Sequence, residues 1–318
     1  MAAAAAAVSS LEYPTITLRD GVVMPQMGVG VYRCGLGEET VRTVSWALDL
    51  GIRLIDTAAM YENEASVHEA LLQDQQGENI IPREQVFITS KLHTDDHGYV
   101  AAYEAGEYAL QHTLQMPYMD LFLIHSPFGE KIVETWDGLI DLQADHLVRS
   151  IGVSNFGIPH LEAIREAGRP LPVVNQIEMH PLIYQRRKDL LEYCQRHDIA
   201  IVAYGSLFSG WTDLYQHPTL EAIAKRTGKS IPQILLRWAL DHGFIIIPKS
   251  SSSKERQQEN YDILDFQLTP EELDHLDHLT SEHEFDEYWD PIDEAEVDVG
   301  DVYIADRIRA EEAEDEEL

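Results

Sequence analysis

Two cysteines in 318 residues, Cys34 and Cys194, are too few and too far apart for a disulfide framework, and their spacing fits no Cys/His metal motif. That scarcity agrees with a reducing compartment, and the cytoplasm is the expected location. Long apolar runs are missing as well. The 44% of hydrophobic residues fall in short stretches, none near the roughly 18 unbroken residues of a membrane span, so an integral membrane protein is excluded. The opening MAAAAAAVSS has no basic flank and too short an apolar run for a signal peptide, and residues 1–13 read as a disordered leader. Basic residues are the third shortage: 23 Lys and Arg face 56 Asp and Glu, a net charge of −33. Nucleic acid and anionic membrane are thereby excluded as partners, because their phosphates would be repelled. Any anionic ligand has to be held by a few local cations against the overall field. Residues 281–318 hold 17 acidic residues against Arg307 and Arg309, and they read as an acidic C-terminal segment whose end, EEAEDEEL, is a solvated tail.

Thr15 to Leu18, then Asp20-Gly21, then Val22 to Met24 reads as a small hairpin, since Asp-Gly between apolar runs is a turn signal. Its size suits a plug or cover for something larger. Beyond it, eight short apolar runs predict strands at 27–31, 53–56, 86–90, 121–125, 150–154, 173–177, 200–204 and 244–248. Around them, 39–50, 64–72, 99–115, 132–146, 158–167, 187–197, 231–242 and 255–261 carry apolar residues at the three-to-four spacing of a surface helix. Eight β/α units in about 250 residues is the content of a TIM barrel, whereas doubly wound sheets more often stop short of eight strands. Gly28-Val29-Gly30 has Arg33 where a dinucleotide fingerprint places its third glycine, and no helix follows directly, so that match is rejected. With no linker and no further repeat, residues 14–280 are expected to form one α/β unit, a (β/α)8 barrel with an N-terminal β-hairpin.

In such a barrel the chemistry gathers where the strands end. Asp56 closes the run Arg53-Leu54-Ile55, Tyr61 follows five residues later, Lys91 follows VFITS, and His125 ends LFLIH. Each alone has an ordinary explanation: loop hydrogen bonding for Asp56 and Tyr61, a salt-bridged structural lysine, a satisfied core histidine. Together they make a proton-transfer set. A phenol of pKa about 10 is a poor acid near neutrality. An adjacent ammonium is expected to favour the phenolate and lower that value, while a carboxylate behind the lysine keeps it charged. The histidine can then donate to a carbonyl oxygen and position it.

The motifs IDTAAMYENE, FITSKL, LFLIHSP, SIGVSNF, VVNQIEMHP and IPKS…ENYD stand in this order between Ile16 and Leu279. They resemble those of the aldo-keto reductases, in particular the bacterial type represented by 2,5-diketo-D-gluconate reductases. The resemblance implies an NADPH-dependent reductase that delivers a 4-pro-R hydride to an aldehyde or ketone carbon. Tyr61 would protonate the oxygen, Asp56, Lys91 and His125 would complete the catalytic set, and no metal is required. It also implies that Ser154, Asn155 and Gln176 hold the nicotinamide carboxamide, that Tyr204 stacks on the ring, and that Ser206 and Leu207 border the pyrophosphate. Lys249, Ser250 and Arg256 would bind the 2′-phosphate, with Glu259 and Asn260 near the adenine. KSSSSKER sets Arg256 seven residues after Lys249 where many relatives have six, so Lys254 is an alternative to Arg256.

Relatives that handle bulky carbonyls line the pocket with tryptophans at three positions, where this chain has Tyr32, His93 and Ser126. Such a wall is smaller and wetter and suits small polar carbonyl compounds, unless Trp136, Trp211 or Trp289 restores an aromatic side. A small-molecule carbonyl substrate is the implied partner, and a monomer is the expected state. Two other readings stay open. One is a cofactor-bound regulatory or partner subunit without turnover, against which the intact set argues. The other is a metal-dependent hydrolase using His93-Thr-Asp-Asp-His97, which lacks a third strand-end ligand.

Overall fold

In the computed structural model, which describes residues 13–74, 81–280, 291–302, 304, 305 and 308, the first element is an antiparallel hairpin. Strand β1 (Thr15–Thr17) pairs with β2 (Val23–Pro25), and Gly21, at φ 87°, turns the chain between them. The leader ahead of Tyr13, Trp289 and the final EEAEDEEL lie outside the described residues.

Eight parallel strands follow: β3 (Gly28–Gly30), β4 (Leu54–Asp56), β5 (Phe87–Leu92), β6 (Met119–Ile124), β7 (Val148–Ser154), β8 (Val174–Glu178), β9 (Ala200–Tyr204) and β10 (Ile245–Ile246). From β3 to β10, neighbours in space are neighbours in sequence. The ring closes where Met27 bridges Ile246 in parallel and the Ile246 amide donates to Gln26 O at 2.9 Å. All eight expected runs are therefore strands of one (β/α)8 barrel. The glycines of Gly28-Val29-Gly30 serve its packing: a Cβ at Gly28 would sit 2.5 Å from Leu54 Cγ, and one at Gly30 2.9 Å from Ile247 O.

The surrounding helices are α1 (Glu38–Asp49), α2 (Glu64–Asp74), α3 (Tyr99–Tyr108), α4 (Ile132–Ala144), α5 (Ile158–Glu166), α6 (Pro181–Arg196), α7 (Pro218–Thr227), α8 (Ile231–Asp241), α9 (Lys254–Tyr261), α10 (Pro270–Asp277) and α11 (Pro291–Glu294). Three departures from the sequence reading have local causes. Helix α6 starts at Pro181, where a proline needs no amide partner, and the run QRRKD dilutes its apolar period. The 99–115 stretch divides into α3 and a π-helical turn at Ala109–Thr113. Helix α10 is short and mostly polar, and is set by its cap: Thr269 Oγ1 accepts from the Glu272 amide at 3.2 Å and Glu272 Oε2 from the Thr269 amide at 2.8 Å.

The core has two parts. Leu54, Phe87, Leu121, Leu123, Val174, Val202 and Ile245 fill the barrel interior, and the hairpin seals its lower end with Leu18 and Met24. Each such side chain contributes about 1.5–3 kcal/mol by leaving water. The larger layer lies between strands and helices, around Ile55, Ile88, Phe122, Trp136 and Trp238. This stiff frame fixes where the upper strand ends stand.

Residues 291–302 lie on the barrel. Helix α4 has no side-chain N-cap, and its Ile132 and Glu134 amides donate instead to Asp298 O at 2.7 Å and Val299 O at 3.2 Å. Glu134 reciprocates by accepting from the Asp301 amide at 3.0 Å, His160 Nε2 meets Ala295 O at 3.0 Å, and Asp293 pairs with Arg187 at 3.2 Å. Among the described residues no helix is long and apolar enough to cross a membrane.

Candidate active site

Asp56 is the last residue of β4, and Lys91 stands one residue before the end of β5. Both are buried, Lys91 completely and Asp56 to 2% exposure. A buried ammonium is tolerable only if its three donors are used. They are: Lys91 Nζ donates to Asp56 Oδ1 at 2.6 Å, to Thr57 O at 2.8 Å and to the Tyr61 hydroxyl at 3.2 Å. Tyr61 reaches this point because it ends the single 3-10 turn Ala59–Tyr61, after which Glu62 adopts a left-handed conformation at φ 56°. Next, Asn63 turns inward and is fully buried, its side chain donating to Val31 O at 2.9 Å and Cys34 O at 3.1 Å and accepting from Thr57 Oγ1 at 2.9 Å. Those bonds join the loop carrying Tyr32 to the loop carrying Tyr61.

The electrostatics correct one expectation. The neighbouring ammonium was expected to lower the phenol's pKa, yet burial, with the charge of Asp56 and the presence of Tyr32, holds Tyr61 well above the ordinary tyrosine value. Burial also lowers the Lys91 pKa, against the opposing pull of Asp56 and Glu64. His125 directly follows β6, with its ring 5.6 Å from that of Tyr61 between centroids. Burial first, then Lys91 and His93, push its pKa down to about 3, so the imidazole is neutral. Among the described residues its buried Nδ1 has no hydrogen-bond partner.

The predicted cofactor residues lie on and just beyond the adjoining strands β7, β8, β9 and β10 and along helix α9. Ser154 ends β7, and its hydroxyl donates to Gln176 O on β8 at 2.8 Å. Asn155, at φ 62°, donates through Nδ2 to His125 O at 3.1 Å and to Ser154 Oγ at 3.0 Å. Tyr204 ends β9 and donates to Asn155 Oδ1 at 2.7 Å. Gln176 Nε2 donates to Asp56 Oδ2 at 2.7 Å, a contact the sequence reading did not foresee. Ser206 is buried with its hydroxyl on Ala203 O at 3.2 Å, and Leu207 O accepts from Tyr215 at 3.4 Å. Lys249 is exposed and donates to Arg33 O at 3.3 Å, while Ser250 and Asn260 are buried beside it and at the end of α9. Arg256 and Glu259 are exposed on α9. Lys254 is paired with Asp49 of α1 at 2.6 Å, which leaves Arg256 the freer of the two candidate cations.

Of the three pocket candidates, Tyr32 lies 5.0 Å from Tyr61 between ring centroids, with the Arg33 guanidinium 5.1 Å over its ring. His93 Nδ1 accepts from the Asp95 amide at 3.1 Å, and Ser126 Oγ from the Phe128 amide at 3.3 Å, so each caps a short turn. His97, the other histidine of that loop, meets Glu130 O through Nδ1 at 2.6 Å. Trp136 cannot restore an aromatic wall: it is fully buried in α4 with its indole N–H on Pro170 O at 2.9 Å. Trp211, Phe128 and Met60 are large exposed side chains on the upper loops.

A model of the aldo/keto reductase family matches residues 26–281. The 9,11-endoperoxide prostaglandin H2 reductase of Trypanosoma cruzi is 41% identical over 271 residues, covering 85% of this chain and 93% of that protein. The glyoxal reductase of Bacillus subtilis is 40% identical over 268 residues, covering 84% and 93%. A Bombyx mori aldo-keto reductase, crystallised in complex with NADP, superposes with a TM-score of 0.77 at 34% identity, covering 88% of this chain and 98% of that one. Barrel, strand-end residues and sequence agree, and the chain belongs to the aldo/keto reductase family.

Proposed function

We propose that this chain is an NADPH-dependent carbonyl reductase in which Tyr61 gives the proton to the carbonyl oxygen. The observation that carries the reading is the Lys91 ammonium, bonded at once to the Asp56 carboxylate and the Tyr61 hydroxyl. Bound NADPH supplies a hydride to the carbonyl carbon, and the protein supplies the proton. Burial keeps Tyr61 protonated through the neutral range, so a proton is available at each turnover. Giving it leaves a phenolate, whose charge the ammonium at 3.2 Å stabilises in a site with little water. The lowered pKa of Lys91 makes it easier for the phenolate to recover a proton. Neutral His125 has one N–H to offer the carbonyl oxygen and align it with the phenol.

The residues fit a nicotinamide dinucleotide with a 2′-phosphate. Asn155, directly after β7, and Gln176, within β8, carry amides on adjoining strands, Tyr204 places a ring beside them, and Lys249 and Arg256 are exposed cations. The NADP complex of the Bombyx relative supports the same choice. For the substrate we infer small polar carbonyl compounds, α-dicarbonyls foremost. Tyr32 and His93 supply polar groups next to Tyr61 and His125, and the Bacillus relative is named for glyoxal.

The test is NADPH oxidation followed by absorbance with methylglyoxal, a diketo sugar acid, a nitrobenzaldehyde and a steroid ketone. Methylglyoxal or the sugar acid should give the highest kcat/KM, and a winning steroid ketone would overturn the substrate assignment. A partner subunit without turnover would bind NADPH and leave its absorbance unchanged with all four.

A further inference from the structure

Gln176 is 2% exposed and held through its backbone oxygen and its side-chain nitrogen. Its backbone oxygen accepts from Ser154 Oγ at 2.8 Å and from the Asn155 amide at 2.9 Å. Its side-chain Nε2 donates to Asp56 Oδ2 at 2.7 Å, while Asp56 Oδ1 takes the Lys91 ammonium at 2.6 Å. Both carboxylate oxygens are thus engaged, one by the lysine and one by a residue of the neighbouring set 120 positions away in sequence. An amide that donates through nitrogen has its oxygen fixed on the other side. No described residue donates to Gln176 Oε1.

We propose that Gln176 is a positioning residue for the proton donor: besides the contact to the cofactor's carboxamide that the family resemblance implies, its Nε2 fixes the Asp56 carboxylate behind Lys91 and so couples the two halves of the site. The inference rests on the reductase reading for the nature of that cofactor. It adds a consequence: whatever tilts the Gln176 amide moves Asp56, and through Lys91 it moves the hydroxyl of Tyr61. Seating the nicotinamide and aligning the proton donor then become one event.

Two substitutions in the full chain test the coupling. Gln176→Glu keeps the shape but sets a second carboxylate against Asp56, and two carboxylates at that distance share a proton. The pair then titrates above the unfolded values, so its stability is present at low pH and lost as pH rises through the folded value. Without cofactor, the melting temperature of Gln176→Glu should match wild type at about pH 5 and fall several degrees behind by about pH 8. Its kcat relative to wild type should recover about tenfold over the same interval as pH is lowered. Gln176→Leu should lower kcat about tenfold alone, but by less than about twofold once Asp56→Asn is present. In both backgrounds it should weaken NADP binding in a fluorescence titration.

Melting of Gln176→Glu that tracks wild type at every pH would overturn the contact with Asp56. Equal kcat losses from Gln176→Leu in both backgrounds would overturn the coupling and leave a purely nicotinamide-binding glutamine. A wild-type protein that binds NADPH and reduces no carbonyl would overturn the reductase reading instead, with the melting comparison still deciding the Asp56 contact.

Discussion

Both ends of the barrel bury a carboxylate among cations, and they use it differently. At the end sealed by the hairpin, near the start of β6, Asp120 is 1% exposed. Its Oδ2 accepts from Arg83 at 2.8 Å and from the Ile88 amide at 2.9 Å, and its Oδ1 from Arg149 at 2.8 Å. Arg83 reaches two further oxygens, Val86 O and Tyr118 O. A guanidinium does not lose its proton near neutrality, and every acceptor in this set is a carboxylate or backbone oxygen, so no proton can move. At the open end the carboxylate faces a lysine, and the lysine's third bond goes to a hydroxyl that carries its own proton. The two carboxylates are buried alike, at 1% and 2% exposure. The difference lies in the cation's identity and in one titratable acceptor.

The sharpest way to break this contrast is at that acceptor. Tyr61→Phe should lower carbonyl turnover about 10^3-fold, within the span general acids contribute, with NADPH affinity within about threefold of wild type by fluorescence titration. Lys91→Met should do much the same. If Tyr61→Phe keeps more than about a tenth of the rate, the phenol is not the donor. The pH profile adds a check on His125. Its folded pKa, pushed down to about 3, lies below the unfolded value, so the neutral ring's stability contribution is complete above that value and lost as pH falls. Turnover should therefore show no acid limb from His125 down to about pH 5, and an apparent pKa near 6.5 that vanishes in His125→Asn would contradict this.

Second in size is the closed end. Asp120→Asn strands two guanidinium groups, one of them 16% exposed and the other 43%. Because the outer arginine can turn to water, the loss should be about 2–3 kcal/mol, below that of a fully buried pair. Urea denaturation would measure it, with kcat unchanged. Asp56→Asn should invert the pattern, with a large fall in kcat. A kcat loss in Asp120→Asn beyond about twofold would mean that the two ends communicate.

What could be read from the chain follows the same divide. Asp56, Tyr61, Lys91 and His125 were legible because each sits at or beside the end of a short apolar run, and strand ends in a barrel converge. The barrel itself was legible from eight such runs. The direction of the Tyr61 shift was not, because it depends on how completely the loops exclude water, and sequence spacing carries no measure of burial. Nor was the bond from Gln176 to Asp56, which needs the relative stagger of β4 and β8. The docking of residues 291–302 was hidden by its chemistry. It is held largely by backbone groups and charged side chains, Asp298 O, Val299 O and Asp293 among them, and among its described residues Ile292 is the one buried apolar anchor. A segment so acidic reads as solvated until helix α4 is seen to lack a cap.

The third prediction extends the contrast to the outer cations. The arginines of the closed end are engaged by a carboxylate, whereas Lys249 among the described residues makes one long bond to a backbone carbonyl. Lys249→Ala should weaken NADPH binding about tenfold, as expected for loss of a charge-assisted contact, and leave NADH binding within about twofold. Lys254→Ala should be silent for both, since that lysine is paired with Asp49. Equal weakening of NADPH and NADH by Lys249→Ala would show that it does not read the 2′-phosphate.

The last test exchanges the cation types and separates charge from identity, and its closed-end half carries the smallest expected loss. Lys91→Arg keeps a positive charge but puts a planar, permanently protonated fork where three donors converge from one nitrogen, so turnover should fall as steeply as in Lys91→Met. Arg149→Lys makes the reverse exchange at the closed end. Arg149 gives Asp120 a single bond through Nη1, its side chain is 43% exposed, and the bond from Gln143 is to its backbone oxygen. A lysine can make one such bond, and Arg83 and the Ile88 amide still hold the other carboxylate oxygen. Stability in urea should therefore drop by less than about 1 kcal/mol with an unchanged m-value, and kcat should not move. A loss above about 2 kcal/mol would mean that the closed end needs the guanidinium itself, as the open end needs its ammonium. Each carboxylate would then be matched to its own kind of cation, and of the two only the open end's cation touches a titratable hydroxyl.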